Sequence, residues 1–496
     1  MHLSKPIRLP LLLVVFQLLQ MLPLSFVTAQ VAYGQDNPST KTVPQDTKAK
    51  SSKDDKEKEK TKRQADQIIE KLEAKIRKQQ EELELLKLFA SSLAEIERNY
   101  VRKVDRRRLI EAAIDGMLHD LDRYSDYIPA KELGSFQTDI ESEYGGIGIR
   151  VARLPEEDFL TVTTPIYNSP SYHAGVRAGT WIVKIGDKDA TNISVDQAIE
   201  LIKGEIGSKV AVTFRDKKTD KDSTLQIERA IVQVQTVLGD QRLPSNQWDY
   251  LLRKGVNKDE KIGYLRITNF GRQTVKEMVE ALTHLKAEEM QGLIIDLRFN
   301  PGGLLSVAID LADLFVDRGL IVRIEGRNSV PRKWVAKKTG TLTGFPIAVL
   351  VNGRSASASE IVAACLQDSG RGVIVGQRTF GKGSVQNIVE LDKGKSVMKL
   401  TTAAYFRPNG QNINRLPEHD EKDEWGVKPN TGYEVEFDDE TQRAYFEYRR
   451  NRDVIWPAGR MSPPEKEFED LQLKKAVEYI RKSIASDRQE KKDAKK

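Results

Sequence analysis

The stretch from Ile347 to Gln386 constrains the fold more than any other part of the chain. It begins with the apolar run 347–351, which is bounded by proline and by Asn-Gly and predicts a buried strand. The hydroxyl-rich segment 354–359 then leads through a glutamate into the apolar segment 361–366, a pattern typical of a helix start. A second short apolar run, 373–375, precedes a glycine-rich loop. This order predicts a strand–helix–strand unit of an α/β fold.

Three serines lie at the mouth of the predicted helix, Ser355, Ser357 and Ser359. A serine in this place has backbone N–H groups beside it that can hold an oxyanion. Lys382 follows with a glycine on each side, and glycine lets a loop approach closely. Serine and lysine together can activate a hydroxyl group without histidine. Composition alone does not rank the three serines.

Two motifs carry a specific resemblance. The segments Asn352–Glu360 and Thr379–Gln386 resemble those of the carboxyl-terminal processing, or tail-specific, proteases, which are Ser–Lys peptidases with a PDZ domain. The resemblance implies that Ser357 is the nucleophile, that Lys382 is the general base and that Gln386 orients the lysine. No HExxH motif and no paired His/Cys spacing appears in the sequence, so neither a metal nor a cofactor is predicted.

The turn Asn300-Pro301-Gly302-Gly303 also matches a motif of that family. By the resemblance, an amide of Gly302 or Gly303 joins the N–H of Ala358 in the oxyanion hole. The alternative is an ordinary strand-to-helix turn. Two nearby carboxylates, Asp296 and Glu360, are interpreted as a salt-bridge partner of Arg298 and as a helix-start carboxylate.

Residues 138–232 resemble a PDZ domain. A glycine turn feeds a strand, and Ser194 with Gln197 forms a capping box for a helix that continues to Lys203. Turn amides can receive a free carboxylate while a peptide adds as a strand beside 147–151. A plain turn is the alternative. The residues predicted to bind a peptide C-terminus are Tyr144, Gly145, Gly146, Ile147 and Gly148.

Alternating strand and helix patterns between 233 and 435 predict a central sheet covered by helices, so the fold class is mixed α/β and α+β. The resemblance implies a crotonase-like protease core. The predicted organisation is a signal peptide (1–29), a disordered linker (30–61), a helical region (62–137), the PDZ domain (138–232), the core (233–435) and a C-terminal extension (436–496) with a helix at 471–484.

The N-terminal segments suggest location and assembly. Residues 1–29 have a basic start, an apolar stretch and small residues before Gln30, as a cleaved secretory signal does. They predict a secreted or periplasmic protein, with a retained membrane anchor as the alternative. Apolar residues between Ile69 and Leu93 repeat at spacings of three and four, which predicts either a self-associating coiled coil or a long helix packed on its own domain.

Other function classes are disfavoured. The formal net charge of +6 is spread over mixed signs and does not indicate a nucleic-acid partner. The loop from Gly376 to Lys382 is nearly a phosphate-binding loop, but Gly383 replaces the hydroxyl residue that would bind magnesium. Cys365 is the only cysteine, so no intrachain disulfide can form.

These patterns predict a secreted serine endopeptidase that captures protein or peptide C-termini through its PDZ domain. It would cleave them through an acyl-enzyme. The rival hypothesis is a catalytically silent peptide-binding scaffold that uses the PDZ domain and the coiled coil.

Overall fold

The computed structural model describes residues 51–134, 136, 143–154, 157–257, 259–455 and 468–493. The predicted signal peptide and most of the predicted linker lie outside these residues. Within the described ranges, no helix combines the length and the apolar character needed to cross a bilayer. The chain divides into two compact units, Met1–Val101 and Arg102–Lys496.

The described part of the first unit contains one long helix, α1 (Ser51–Asn99). It begins earlier than predicted, so the assignment of 51–61 to a disordered linker was wrong. Lysine and glutamate favour helix, and an ion pair at spacing i,i+4 joins Glu59 to Arg63 at 2.7 Å. Apolar seam residues such as Leu72 (53% exposed) and Leu83 (51% exposed) remain open to solvent in the single chain. Self-association through this seam stays a prediction.

The second unit opens with a helix, α2 (Arg106–Leu121), and a short strand, β1 (Asp126–Ile128). Between them the Asp122 carboxylate accepts hydrogen bonds from the backbone N–H groups of Tyr124 (2.7 Å) and Ser125 (2.8 Å). These bonds fold the connection into a tight turn. Helix α2 lies within the predicted helical region 62–137.

The next elements form the PDZ region, an antiparallel sheet in the order β3-β4-β5-β7-β8 with β6 beside β5. The predicted capping box is confirmed, because Ser194 Oγ accepts from Gln197 N–H while Gln197 Oε1 accepts from Ser194 N–H. The elements are β2 (Glu143–Gly146), β3 (Ile149–Ala152), β4 (Leu160–Pro165), α3 (Pro170–His173), β5 (Trp181–Ile185), β6 (Lys188–Asp189), α4 (Val195–Ile202), β7 (Lys209–Arg215), β8 (Asp222–Glu228) and β9 (Ala230–Gln233).

The predicted glycine turn is shorter than expected. Residues up to Gly146 belong to β2, which pairs antiparallel with β9, so the connection to β3 is only Ile147 and Gly148. Ile147 is fully buried. Gly148 has φ +79°, and a Cβ there would lie 2.2 Å from Ser169 Cβ. The close approach of the Ser169 segment therefore requires glycine at this position.

The described part of the core contains two five-stranded sheets and the two-stranded sheet β11-β12. One five-stranded sheet has the order β10-β13-β14-β17-β18, in which β13, β14, β17 and β18 are parallel, and the other has the order β1-β20-β15-β16 with β19 paired to β20. The elements are β10 (Val237–Leu238), β11 (Gln241–Arg242), β12 (Trp248–Asp249), β13 (Ile262–Ile267), α5 (Thr274–Ala287), β14 (Gly292–Asp296), α6 (Leu305–Asp313), β15 (Leu320–Gly326), β16 (Ser329–Val335), β17 (Ile347–Val351), α7 (Ala358–Asp368), β18 (Gly372–Gly376), β19 (Ser384–Leu391) and β20 (Ser396–Phe406).

Both faces of the parallel sheet are covered. Alternate residues of β17 illustrate this, because Val349 packs into the cluster that contains α5, α6 and α7 whereas Leu350 packs into a second cluster. Such strands read as continuous apolar runs because neither face meets water. The continuous run in the sequence therefore marks the centre of the sheet.

The second cluster is closed by C-terminal residues that the sequence analysis assigned to an extension. The elements are α8 (Asp439–Asp453) and α9 (Leu471–Asp493), and Ala476, Val477 and Ile480 of α9 pack on the sheet. A Cβ at Gly292 would lie 2.4 Å from Ile480 Cγ2, so glycine lets the helix approach. Residues 471–493 are thus part of the core, because without them one face of the sheet would be exposed.

Candidate active site

The candidate site lies where the parallel strands end. Three segments leave the carboxyl ends of β13, β14 and β17, and they meet at one edge of the sheet. Ligands of open α/β sheets bind outside this edge. The motifs 297–303 and 352–360, which are far apart in sequence, are brought together here.

Asn300 joins the three segments. Its side-chain amide donates to Ile267 O at 2.8 Å, after which β13 ends. Its backbone carbonyl accepts from Ala356 N–H and from Ser359 Oγ, both at 3.0 Å. Asn300 is fully buried. The turn predicted beside the nucleophile is therefore held against it by hydrogen bonds.

The structure separates the three serines. Ser355 is fully buried, and its hydroxyl donates to Leu297 O at 2.8 Å. Ser359 is also fully buried and bonded to the Asn300 carbonyl. Ser357 instead lines a cavity of about 480 Å³, immediately before α7, with φ +55° and ψ −115°. A non-glycine residue at positive φ is strained, and such strain concentrates at functional sites.

Glu360 connects Ser357 to the lysine loop. One carboxylate oxygen, Oε2, accepts the backbone N–H of Ser357 and of Lys382, each at 2.8 Å. The other, Oε1, accepts from Thr379 Oγ1 at 2.5 Å and from Gly381 N–H at 2.7 Å. Burial raises the pKa of Glu360 to about 7, and the four donors oppose that shift. Its place at the helix start was predicted from the sequence, whereas this connection was not.

Lys382 lies in a partly buried place beside Tyr124, with Nζ 4.9 Å from the centre of the ring. Burial is the largest cause that lowers its pKa, and the nearby charge of Lys399 adds to the effect, whereas Glu360 and Asp122 oppose it. Lys382 Nζ makes no hydrogen bond to the described residues. The shift favours the neutral amine that a general base requires.

Gln386 makes no hydrogen bond to Lys382 among the described residues. Its amide nitrogen donates to Ser384 Oγ at 2.8 Å and to Thr401 Oγ1 at 3.2 Å. Gln386 lines the same cavity as Ser357. The predicted orienting contact from Gln386 to Lys382 is thus not formed among the described residues.

Two amides remain near Ser357 for an oxyanion. Gly302 N–H already donates to Asn300 Oδ1 at 2.9 Å, which leaves Gly303 of the two predicted glycines. Gly303 and Ala358 both line the cavity. A Cβ at Gly302 would lie 2.8 Å from Ser357 Cβ and 3.0 Å from Ala358 N, so glycine there keeps this space open.

The rest of the cavity is largely apolar, with Phe270, Leu305 and Ile361 in its wall. Two other lining residues were not found from the sequence, Lys399 and Tyr405 of β20. The Tyr405 hydroxyl is buried, and burial raises its pKa well above the usual value, whereas the neighbouring Ser357 side chain opposes that shift. No local motif marks these residues, because only the pairing of β20 with β19 brings them to the site.

We expect Glu360→Gln to lower the free energy of unfolding by about 2–4 kcal/mol. A glutamine offers one oxygen to donors that now use two, and its NH₂ group would face N–H groups, so buried donors would lose their partners. Chemical denaturation with the exposed variant Glu418→Gln as control measures the effect. Equal stability of the two variants would contradict the role given to this carboxylate.

Three family profiles match parts of the chain. A profile of Peptidase family S41 matches residues 261–431, and a PDZ domain profile matches residues 161–216. A profile of the N-terminal domain of the activating protease CtpB matches residues 25–132.

The relatives are processing proteases. A carboxy-terminal-processing protease of Bartonella bacilliformis is 32% identical over 80% of this chain and 88% of its own length. The protease CtpA of Bacillus subtilis is 34% identical over 69% of this chain and 67% of its own. A solved photosystem II D1 C-terminal processing protease is 29% identical over 71% of this chain and 92% of that chain, with a TM-score of 0.39. The protein belongs to the carboxy-terminal processing proteases, serine-type peptidases of family S41.

Proposed function

We propose that the protein cleaves polypeptides near their C-termini by a Ser–Lys mechanism. The observation that carries the proposal is the single oxygen of Glu360 that accepts the backbone N–H of both Ser357 and Lys382. It holds the serine backbone and the lysine backbone at one point. The lowered pKa of Lys382 supports a neutral amine as the base.

In this mechanism Ser357 Oγ attacks the scissile carbonyl while the Lys382 amine takes the hydroxyl proton. The resulting ammonium gives that proton to the leaving amine, and an acyl-enzyme forms. Water, deprotonated by the same lysine, then releases the acid. The N–H groups of Ala358 and Gly303 bind the oxyanion, and Gln386 orients Lys382 once substrate is bound.

The PDZ region captures the substrate tail in this proposal. Strand β3 ends the sheet order, so among the described strands its outer edge is free to accept a peptide as an added strand. The amides around Ile147 and Gly148 then receive the terminal carboxylate. A role limited to peptide binding is not favoured, because one oxygen of Glu360 holds the backbone N–H groups of both Ser357 and Lys382.

The N-terminal region supports a location and a mode of self-association. Residues 1–29 have the organisation of an export signal, so the enzyme acts outside the cytoplasm. The exposed apolar seam of α1 favours pairing with a second copy of the chain. No metal or cofactor takes part in the proposed chemistry.

The identity of the nucleophile is tested by active-site labelling. We expect a fluorophosphonate probe to modify Ser357, because the hydroxyls of Ser355 and Ser359 are buried and bonded to carbonyls. Ser357→Ala should lower peptide cleavage by about ten-thousandfold and abolish labelling. The control variants Ser355→Ala and Ser359→Ala should keep part of the labelling and part of the peptide cleavage. A labelled peptide that maps to Ser355 or Ser359 would show that Ser357 is not the nucleophile.

The lysine is tested by the pH profile. Since burial lowers the pKa of Lys382, activity should fall as pH drops through that lowered value and the amine becomes charged. Lys382→Arg should be inactive yet folded, because arginine stays protonated. The matched exposed variant Lys395→Arg should keep full activity. Substantial turnover by Lys382→Arg would contradict the assignment of Lys382 as the general base.

Recognition of the substrate C-terminus by the PDZ region is tested with paired substrates. If the PDZ region holds a carboxylate, a peptide with a free C-terminus should be cleaved with a higher kcat/KM than the same peptide amidated. The difference should lie mainly in KM, since the contact is remote from the reacting bond. Equal kcat/KM values for the acid and the amide would leave the PDZ region without this role.

A further inference from the structure

A second cavity, of about 320 Å³, lies apart from Ser357, between the PDZ region and the core. Residues of β4, β13 and α8 contribute to its wall. Strand β3 contributes Arg150, which alternates with Ile149 and Val151 that pack into the PDZ core. The cavity therefore faces the outer surface of the PDZ sheet, away from that core.

Its lining is rich in arginine. The guanidinium side chains come from β3, β11, β13, α8 and the segment after β14, whereas the lining holds one carboxylate, Asp453. The arginines are Arg150, Arg242, Arg266, Arg298, Arg449 and Arg450.

Some of this charge is neutralised. Arg298 pairs with Asp296 at 2.7 Å and with Asp470 at 2.9 Å. Arg266 (2.5 Å) and Arg449 (3.0 Å) share Asp453. Arg449 also lies 3.7 Å from Asp240, so carboxylates meet the charges of Arg266 and Arg449, and the positive potential of the cavity comes from other arginines such as Arg242.

Among the lining arginines, Arg242 most clearly lacks a carboxylate partner. Its guanidinium stacks over Trp248, with Cζ 3.8 Å from the centre of the ring, and one of its terminal nitrogens donates to Asn246 O at 2.7 Å. No carboxylate of the described residues lies within salt-bridge distance of it. Burial lowers its pKa to about 10. A buried charge without a counter-ion is unfavourable, and buried arginines are rarely found without one.

Hydrogen-bond donors are also left over. The Nε atoms of Arg242, Arg266 and Arg449 are buried and have no partner. Buried donors are nearly always paired, so an exception asks for an explanation. Arginine donors match carboxylate and phosphate oxygens in geometry and charge. These unpaired donors leave the wall of the cavity with more donors than acceptors, which favours an oxyanion as its ligand.

The remaining wall is aromatic. Phe299 and Phe446 line the cavity with their ring centres 4.5 Å apart, and Trp248 lies under Arg242. A cavity of a few hundred Å³ with convergent polar groups and apolar walls suits a small organic ligand. An inorganic ion would leave these rings uncovered.

We propose that this cavity binds a small organic anion whose carboxylate or phosphate group is held by Arg242 and whose apolar body packs against Trp248, Phe299 and Phe446. The ligand contacts the PDZ region and the core together, because Arg150 lines the cavity opposite α8. The backbone after α8 already bonds to the PDZ sheet, from Ile455 N–H to Thr164 Oγ1 at 3.1 Å. The bound anion therefore stabilises the PDZ region in this position.

The test measures binding directly, with full-length Ser357→Ala protein and isothermal titration calorimetry, so that its result does not depend on cleavage. The probes are phenyl phosphate, N-acetylphenylalanine, N-acetylphenylalanine amide and inorganic phosphate. We expect at least one of the two organic anions to bind at least tenfold more tightly than the neutral amide and than inorganic phosphate. The stronger of the two identifies phosphate or carboxylate as the preferred group.

Variants locate the site. In the same background Arg242→Gln should weaken the preferred anion at least tenfold, and the exposed control Arg327→Gln should leave its Kd unchanged. Arg450→Gln, at an exposed position of the same cavity, should weaken binding without disturbing the Trp248 stack. Thermal unfolding verifies that each variant is folded.

Three results would overturn the proposal. They are no binding by either organic anion at 10 mM, equal affinity for the neutral amide, and unchanged affinity in both folded arginine variants.

Discussion

The carboxylate of Glu360 is the group on which the rest of the site depends. It is fully buried, and it accepts backbone N–H groups from two segments that the chain brings together only through the sheet. A buried carboxylate is unfavourable unless its oxygens are satisfied, and here four donors surround it. The same contacts that stabilise the carboxylate fix the positions of Ser357 and Lys382.

The edge of the parallel sheet positions the other segments of the site. Because the carboxyl ends of β13, β14 and β17 lie side by side, their following turns can bond to one another, and Asn300 contacts both of the others. Glycine permits the closest approaches, at Gly302 against Ser357 and at Gly292 against α9. The packing of the sheet therefore determines the geometry of the site, since a displaced helix would displace a turn.

Charge is distributed differently at the two cavities. Near Ser357 burial and the neighbouring Lys399 lower the pKa of Lys382, which suits a base that must be neutral. Beside the PDZ region arginines stay charged even when buried, so their charge has to be met by carboxylates or by a ligand. Lysine and arginine serve opposite purposes in the two places for this physical reason.

Much of this protein was determined by the sequence alone. Strand β17 and the capping box of α4 were predicted at their observed places, because apolar runs and cap residues act locally. The family was recognised from two motifs around Ser357 and Lys382, and the relatives confirm it. Long-range contacts were not predictable in this way. The amides held by Glu360, the cover that α9 gives to the sheet, the strand formed by Gly145 and Gly146, and the arginine cavity each join segments distant in sequence. Only the tertiary structure decides which of them meet, because burial and hydrogen bonding act between residues that no local pattern connects.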